Sequence, residues 1–145
     1  MKKLISLLVV LFTLTFSVIA DNDKIIPINE MPKVAQQFVS KHFANHKVVV
    51  VKVESEFLSK SYDVMFANGD KIEFDKKGNW TNIDCEHSQV PNAIIPKKIA
   101  SYINQHFPNT KILQIEKNDR KGYDVELNNG SELEFDKQFR LVDLD

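Results

Sequence analysis

The chain carries one short sequence twice, and this repetition constrains its fold more than any other feature. Residues 31–43 (MPKVAQQFVSKHF) align with residues 95–107 (IPKKIASYINQHF) at a constant offset of 64. Residues 62–75 (YDVMFANGDKIEFD) align with residues 123–136 (YDVELNNGSELEFD) at an offset of 61, with eight of the 14 positions identical. Repetition at this period means one supersecondary unit used twice. Each unit opens with a proline, Pro32 or Pro96, where a missing N–H costs nothing in a first helical turn. Val34, Ala35, Phe38 and Val39 in one copy, and Ile99, Tyr102, Ile103 and Phe107 in the other, then recur at helical spacing and define one apolar face.

Strand patterns follow each helix. The β-branched run 48–53 and the weaker run 111–116 are strand candidates, each succeeded by two alternating strands around an Asn-Gly turn. Tyr62, Val64 and Phe66 must share a face with Ile72 and Phe74, which a two-residue loop would forbid by parity. A three-residue loop ending on a left-handed Gly69 satisfies it, pairing Val64 with Ile72 and Tyr62 with Phe74. The same parity pairs Val125 with Leu133 and Tyr123 with Phe135. A similar loop over 76–78, ending on Gly78, brings Trp80 opposite Phe74 on a fourth strand. The second copy has Phe139 where Gly78 stands, and a left-handed Phe is costly, so its last turn is expected to differ. The expected fold class is therefore α+β, a tandem repeat of an N-terminal helix packed on a four-stranded antiparallel meander sheet. Residues 21–84 would form the first repeat, 85–90 a joint and 91–145 the second. Units this small are marginal alone and should lean on each other.

The remaining residues read as an export signal. Lys2 and Lys3 precede an uncharged, mostly apolar run from Leu4 to Ala20, which predicts a Sec-type signal peptide over 1–20 with cleavage after Ala20. That predicts a periplasmic or secreted protein, without membrane attachment after cleavage. Without Lys2 and Lys3 there remain 17 basic and 20 acidic residues, a net charge of −3 (17 − 20), too little and of the wrong sign for a nucleic-acid partner. The lone Cys85 enters an oxidising compartment with no intramolecular partner, and burial is the commonest fate of such a thiol. His87, two residues on, is a weak candidate for an activating base.

The signal peptide followed by two copies of helix, Tyr-Asp-Val, Asn-Gly and Glu-Phe-Asp resembles the PepSY-like proteins grouped with the β-lactamase-inhibitor-like fold. Tyr62, Asn68, Gly69, Phe74 and Asp75, with Tyr123, Asn129, Gly130, Phe135 and Asp136, carry the resemblance, which spans nearly all of the chain after the leader. These are marks of the fold without catalytic content. The resemblance implies an exported, non-enzymatic protein, with inhibition of a peptidase or β-lactamase suggested by the names of relatives.

Chemical motifs are sparse. His42 and His46 stand at i, i+4 near the end of the first helix, a spacing that can place two imidazoles on one metal, but no third ligand is fixed. The alternative for His42 and His106 is a place in a last helical turn, favourable to the helix dipole. Glu73, Asp75, Glu132, Glu134 and Asp136 alternate with apolar residues among Lys71, Lys76 and Lys137, the pattern of a solvated strand face. No phosphate loop, nucleophile elbow or zinc-protease helix occurs. No enzyme and no cofactor is expected. The expected function is a protein- or peptide-binding module, with Phe57 and Leu58 as contact candidates because they sit between strands without periodic support. The alternative is a periplasmic small-molecule or metal-binding protein.

Overall fold

A computed structural model describes residues 23–145. The predicted leader over 1–20 lies outside the described residues. In order, the elements are β1 (Asp23–Ile25), a short 3-10 turn (Ile28–Glu30), α1 (Lys33–His42), β2 (Val48–Glu56), β3 (Ser59–Phe66), β4 (Lys71–Asp75) and β5 (Trp80–Asp84). Then come α2 (Lys97–His106), β6 (Ile112–Asn118), β7 (Gly122–Leu127), β8 (Glu132–Phe135) and β9 (Leu141–Leu144).

The strands do not form two four-stranded sheets, which corrects the expected fold class. They make one nine-stranded antiparallel sheet in the order β1 to β9. The seam is β5 against β6, where Asn82, Ile83 and Asp84 pair with Glu116, Ile115 and Gln114. Beyond β5 the seam continues, since Cys85 donates its N–H to the Leu113 carbonyl (2.7 Å) and Val90 donates to Ile112 (2.9 Å). The physical reason is that a meander leaves an unpaired backbone row on each outer edge, and two such edges satisfy each other. Periodicity says which face a residue occupies and nothing about what lies beside an edge. The ninth strand, β1, pairs with β2 through Asp23 with Glu54 and Ile25 with Lys52, and no periodic signal marked it.

Both helices lie on one face. Ala35 and Val39 of α1 and Ile99 and Ile103 of α2 are buried, and the buried side chains from Ile26 to Phe135 form a single cluster. Aromatic contacts fasten the layers: Phe38 meets Phe74 edge-on at 5.7 Å, Tyr102 meets Phe135 edge-on at 5.6 Å, and Phe43 stacks on Phe66 at 5.1 Å. Ile83 and Ile115, facing each other across the seam, are fully buried, so the core is continuous from one half to the other.

The turns follow the parity argument. Phe66 donates its N–H to Asp70 (2.9 Å), Gly69 is left-handed at φ +94°, and Val64 pairs with Ile72 and Tyr62 with Phe74. Val125 pairs with Leu133, Tyr123 with Phe135, and Phe74 with Trp80. The β8–β9 turn departs from expectation: Phe139 does take the left-handed conformation, at φ +63°, and the turn closes as its glycine counterpart does. Two interactions offset the strain. The Phe139 ring packs on Tyr123 at 5.4 Å, and the Asp136 carboxylate accepts the N–H groups of Gln138 (2.9 Å) and Arg140 (3.0 Å) and the Arg140 guanidinium (2.7 Å). Phe139→Ala is expected to keep the strain and lose the ring, whereas Phe139→Gly loses both. The Gly variant should therefore be the more stable of the two by about 1 kcal/mol, measured as a difference in urea midpoint.

Candidate functional site: the open face of the sheet

Because successive strand residues alternate between faces, the face opposite the helices collects the second set of side chains from every strand. Pairing registers align them into transverse rows. One row runs Lys52, Asp63, Glu73, Asn82, Glu116, Asp124, Glu134 and Asp143, one residue from each of β2 to β9. A second runs Lys71, Asp84, Gln114, Glu126, Glu132 and Asp145. Over β6 to β9 these rows hold seven carboxylates and no Lys or Arg. They line a shallow concavity that crosses the Val125–Leu133 pair, whose own side chains are buried on the helix-covered face.

Like charges directly opposite each other destabilise a sheet by a few tenths to about 1 kcal/mol a pair. Glu116 with Asp124, Asp124 with Glu134, Glu134 with Asp143, and Glu126 with Glu132 are all such pairs. Lys76 and Lys137, which the alternating pattern places among the acids, sit in turns rather than on this face. Asp136 is engaged with Arg140 at the β8–β9 turn, whose N–H and guanidinium hold its carboxyl below the usual carboxylate value. Glu116, Asp124, Glu126, Asp143 and Asp145 were not singled out from sequence. Their signal is visible only when strand parity is summed over adjacent strands.

Near the β1 end the face is mixed. Lys52 bridges Asp23 (2.5 Å) and Glu54 (3.4 Å). Partial burial raises the Glu73 carboxyl above its ordinary value, and Asp63, Glu54 and Glu116 add like charge; Asp63 is raised by burial and then by Glu54. A carboxyl whose value is raised by folding binds its proton more tightly folded than unfolded. It therefore weakens the fold above that value, and stability returns as pH falls from neutral through it. Glu73→Gln is expected to be more stable than the parent at pH 7, with an advantage that shrinks towards pH 4. Urea midpoints at the two pH values check this.

The other candidates fall elsewhere. α1 ends at His42, so His46 is in the following turn and not on the helix. His42 packs on Phe38 at 4.7 Å, and burial followed by the Lys41 charge lowers its pKa. His46 sits edge-on to Phe43 (5.3 Å) and Phe66 (5.5 Å), its buried Nδ1 without a partner. His106 packs on Tyr102 at 4.2 Å in the last turn of α2. Among the described residues no group of three or more His, Cys, Asp or Glu is arranged to hold a metal ion.

Cys85 is fully buried, and burial first, then the Asp70 charge, pushes its thiol up to about 12. It is a protonated, inert thiol at neutral pH. Asp70, itself buried, accepts the Ser88 hydroxyl (2.5 Å), the His87 N–H (3.2 Å) and the Asn68 amide (2.9 Å). This carboxylate ties residues 87–88 to the β3–β4 loop. The sequence hint was there, since Asp70 faces Ser131 in the internal alignment. Phe57 and Leu58 form the tip of the β2–β3 hairpin, 92% and 86% exposed, with Leu58 left-handed at φ +70°.

The fold is thus one antiparallel sheet backed by helices on one face and open on the other. The chain belongs to the family described as "Putative beta-lactamase-inhibitor-like, PepSY-like", which it matches over residues 60–143. Among solved structures it is similar to a "putative calcium-regulated periplasmic protein" from Bacteroides thetaiotaomicron, at 51% identity over 87% of this chain and 98% of that one, with a TM-score of 0.84. It is also similar to two proteins from Bacteroides vulgatus. One is a "putative periplasmic protein" at 48% identity, with the same coverage of both chains and a TM-score of 0.83. The other is a "putative periplasmic protein of unknown function" at 37% identity over 85% and 98% of the two chains, with a TM-score of 0.79. No curated protein matches the chain.

Proposed function

We propose that this protein is a non-catalytic periplasmic binding module whose acidic open face receives a basic segment of a partner protein. The observation that carries the reading is the uninterrupted carboxylate row Glu116, Asp124, Glu134 and Asp143 on four neighbouring strands, with no cation on that face over β6 to β9. The repulsion stored there is relieved by an incoming cation, so binding and stability pull in opposite directions at these positions. Export to the periplasm is supported by the predicted leader with cleavage after Ala20 and by the descriptions of its relatives. Phe57 and Leu58 supply a separate apolar contact point at the far hairpin, supported by their exposure.

A lysine-rich peptide titrated by calorimetry tests the reading. Micromolar binding that weakens at least tenfold between 50 and 300 mM NaCl is expected, because the contact is electrostatic. The double substitution Asp124→Lys, Glu134→Lys should abolish it. Absence of binding at 50 mM NaCl, or unchanged binding by the double variant, counts against the proposal.

A second reading is that the cation is calcium, favoured by the relative described as calcium-regulated. The open row offers carboxylate oxygens without a closed cage, which suits weak, millimolar binding. A melting temperature that rises with calcium more than with magnesium supports this reading, and one that moves with neither removes it.

A further inference from the structure

Resting on the reading of the acidic face as a site for a basic segment, we infer that this segment docks as a tenth strand along β9, with the Asp143 carboxylate as the gate. Among the described residues β9 has a neighbour on one side only, β8. Glu132 and Asp145 exchange both backbone hydrogen bonds, each 2.9 Å. Antiparallel alternation therefore turns the N–H and C=O of Leu144 away from β8 and toward the open edge.

That outward N–H is covered. It donates to Asp143 Oδ1 of the preceding residue at 2.9 Å. A covered donor blunts an edge strand against indiscriminate pairing. Asp143 is also the last carboxylate of the row that begins at Glu116, so it faces whatever cation the acidic face attracts. A Lys or Arg arriving opposite Asp143 competes for the carboxylate, and drawing it aside uncovers the Leu144 N–H. Recognition of charge and opening of the edge are one event.

The chemistry of the occupant follows from the two sides of β9. Its open-face side presents Asp143 and Asp145, which call for basic side chains at every second position. Val142 and Leu144 are 61% and 47% exposed and call for apolar residues between them. The ligand is an extended segment alternating basic with apolar residues, a form of β-strand addition. A second copy of this chain fits poorly, since pairing β9 with itself gathers the Asp143 and Asp145 carboxylates of both copies.

The experiment compares the peptide acetyl-Lys-Val-Lys-Val-Lys-Val-Lys-amide with the same peptide methylated on every backbone nitrogen, which keeps charge and apolar content but cannot join a ladder. Affinity is measured by calorimetry and exchange of the Leu144 amide by NMR. The expected result is binding at least tenfold weaker for the methylated peptide, with Leu144 exchange slowed by the unmethylated one alone. Equal affinity of the two peptides with no Leu144 protection overturns strand docking and leaves the acidic face as the site. No binding of either peptide overturns both. In the free protein Asp143→Ala should speed Leu144 exchange, and unchanged exchange would remove the gate.

Discussion

Ile83→Ala is expected to lower stability by about 2 to 5 kcal/mol, the range for truncating a fully buried aliphatic side chain, and to shift the unfolding of the whole chain as one transition. Ile83 lies on β5 and pairs with Ile115 on β6, both wholly excluded from solvent. They hold the seam on which the single sheet depends. If the halves folded independently, the substitution would lower one transition and leave a second in place. A denaturant titration followed by circular dichroism and by Trp80 fluorescence decides this, since Trp80 reports from the first half alone. Coincident transitions, both displaced, are the expected outcome; separated ones, or a loss under 1 kcal/mol, would contradict the continuous core. The double variant with Ile115→Ala should cost less than the two single losses added together, because the two side chains share one contact.

Gly122→Ala should be as damaging, for a different reason. Gly122 sits at φ +125°, and a Cβ there would stand 2.1 Å from the Phe135 carbonyl oxygen and 2.6 Å from the Asp136 carbonyl carbon. Both obstacles are backbone, so no rotamer change relieves the clash. The strand β8 and the Asp136 turn must move, and the β9 edge with them. A loss of more than about 3 kcal/mol is expected, at the severe end of single substitutions. Gly130→Ala is the control. Gly130 is also left-handed, at φ +86°, but nothing lies within 4 Å of its added Cβ, so only the conformational strain of about 1 to 2 kcal/mol applies. Equal losses at the two glycines, read from chemical denaturation, would mean that the close approach at Gly122 does not constrain the fold.

Much of the local structure was legible because strand parity and helical spacing are properties of neighbours in sequence. Tyr62, Val64 and Phe66 had to face Ile72 and Phe74, and that alone selected the bulged loop on Gly69. The buried faces of both helices were legible from Ala35, Val39, Ile99 and Ile103 in the same way, whereas Val34, which the same spacing assigned to that face, is exposed because it lies at its margin in the first turn. Phe139 was misread because the cost of a left-handed Phe is local, whereas the Tyr123 ring and the Asp136 carboxylate that offset it come from the tertiary fold and the turn's own closure. The i, i+4 spacing of His42 and His46 does not put both on one helix, because α1 stops at His42 and His46 falls in the turn that follows.

The candidate site was half visible. Alternating acids on single strands were plain, and each strand alone looked like an ordinary wet surface. What turns them into a site is adjacency: β6, β7, β8 and β9 align Glu116, Asp124, Glu134 and Asp143 into one row, while Lys76 and Lys137 fall into turns.

Apart from β1, the sequence by itself determined the helices and strands, their order and the parity of the hairpins, because these follow from periods of 2 and 3.6 residues read along the chain. Only the tertiary structure decided that β5 and β6 join two meanders into one sheet, that Asp70 ties residues 87–88 to the β3–β4 loop, and that the acids gather on one face beside a guarded edge. Those outcomes depend on which unpaired backbone edges and which like charges come to lie side by side. Such contacts form between residues distant in sequence, where no local period reaches.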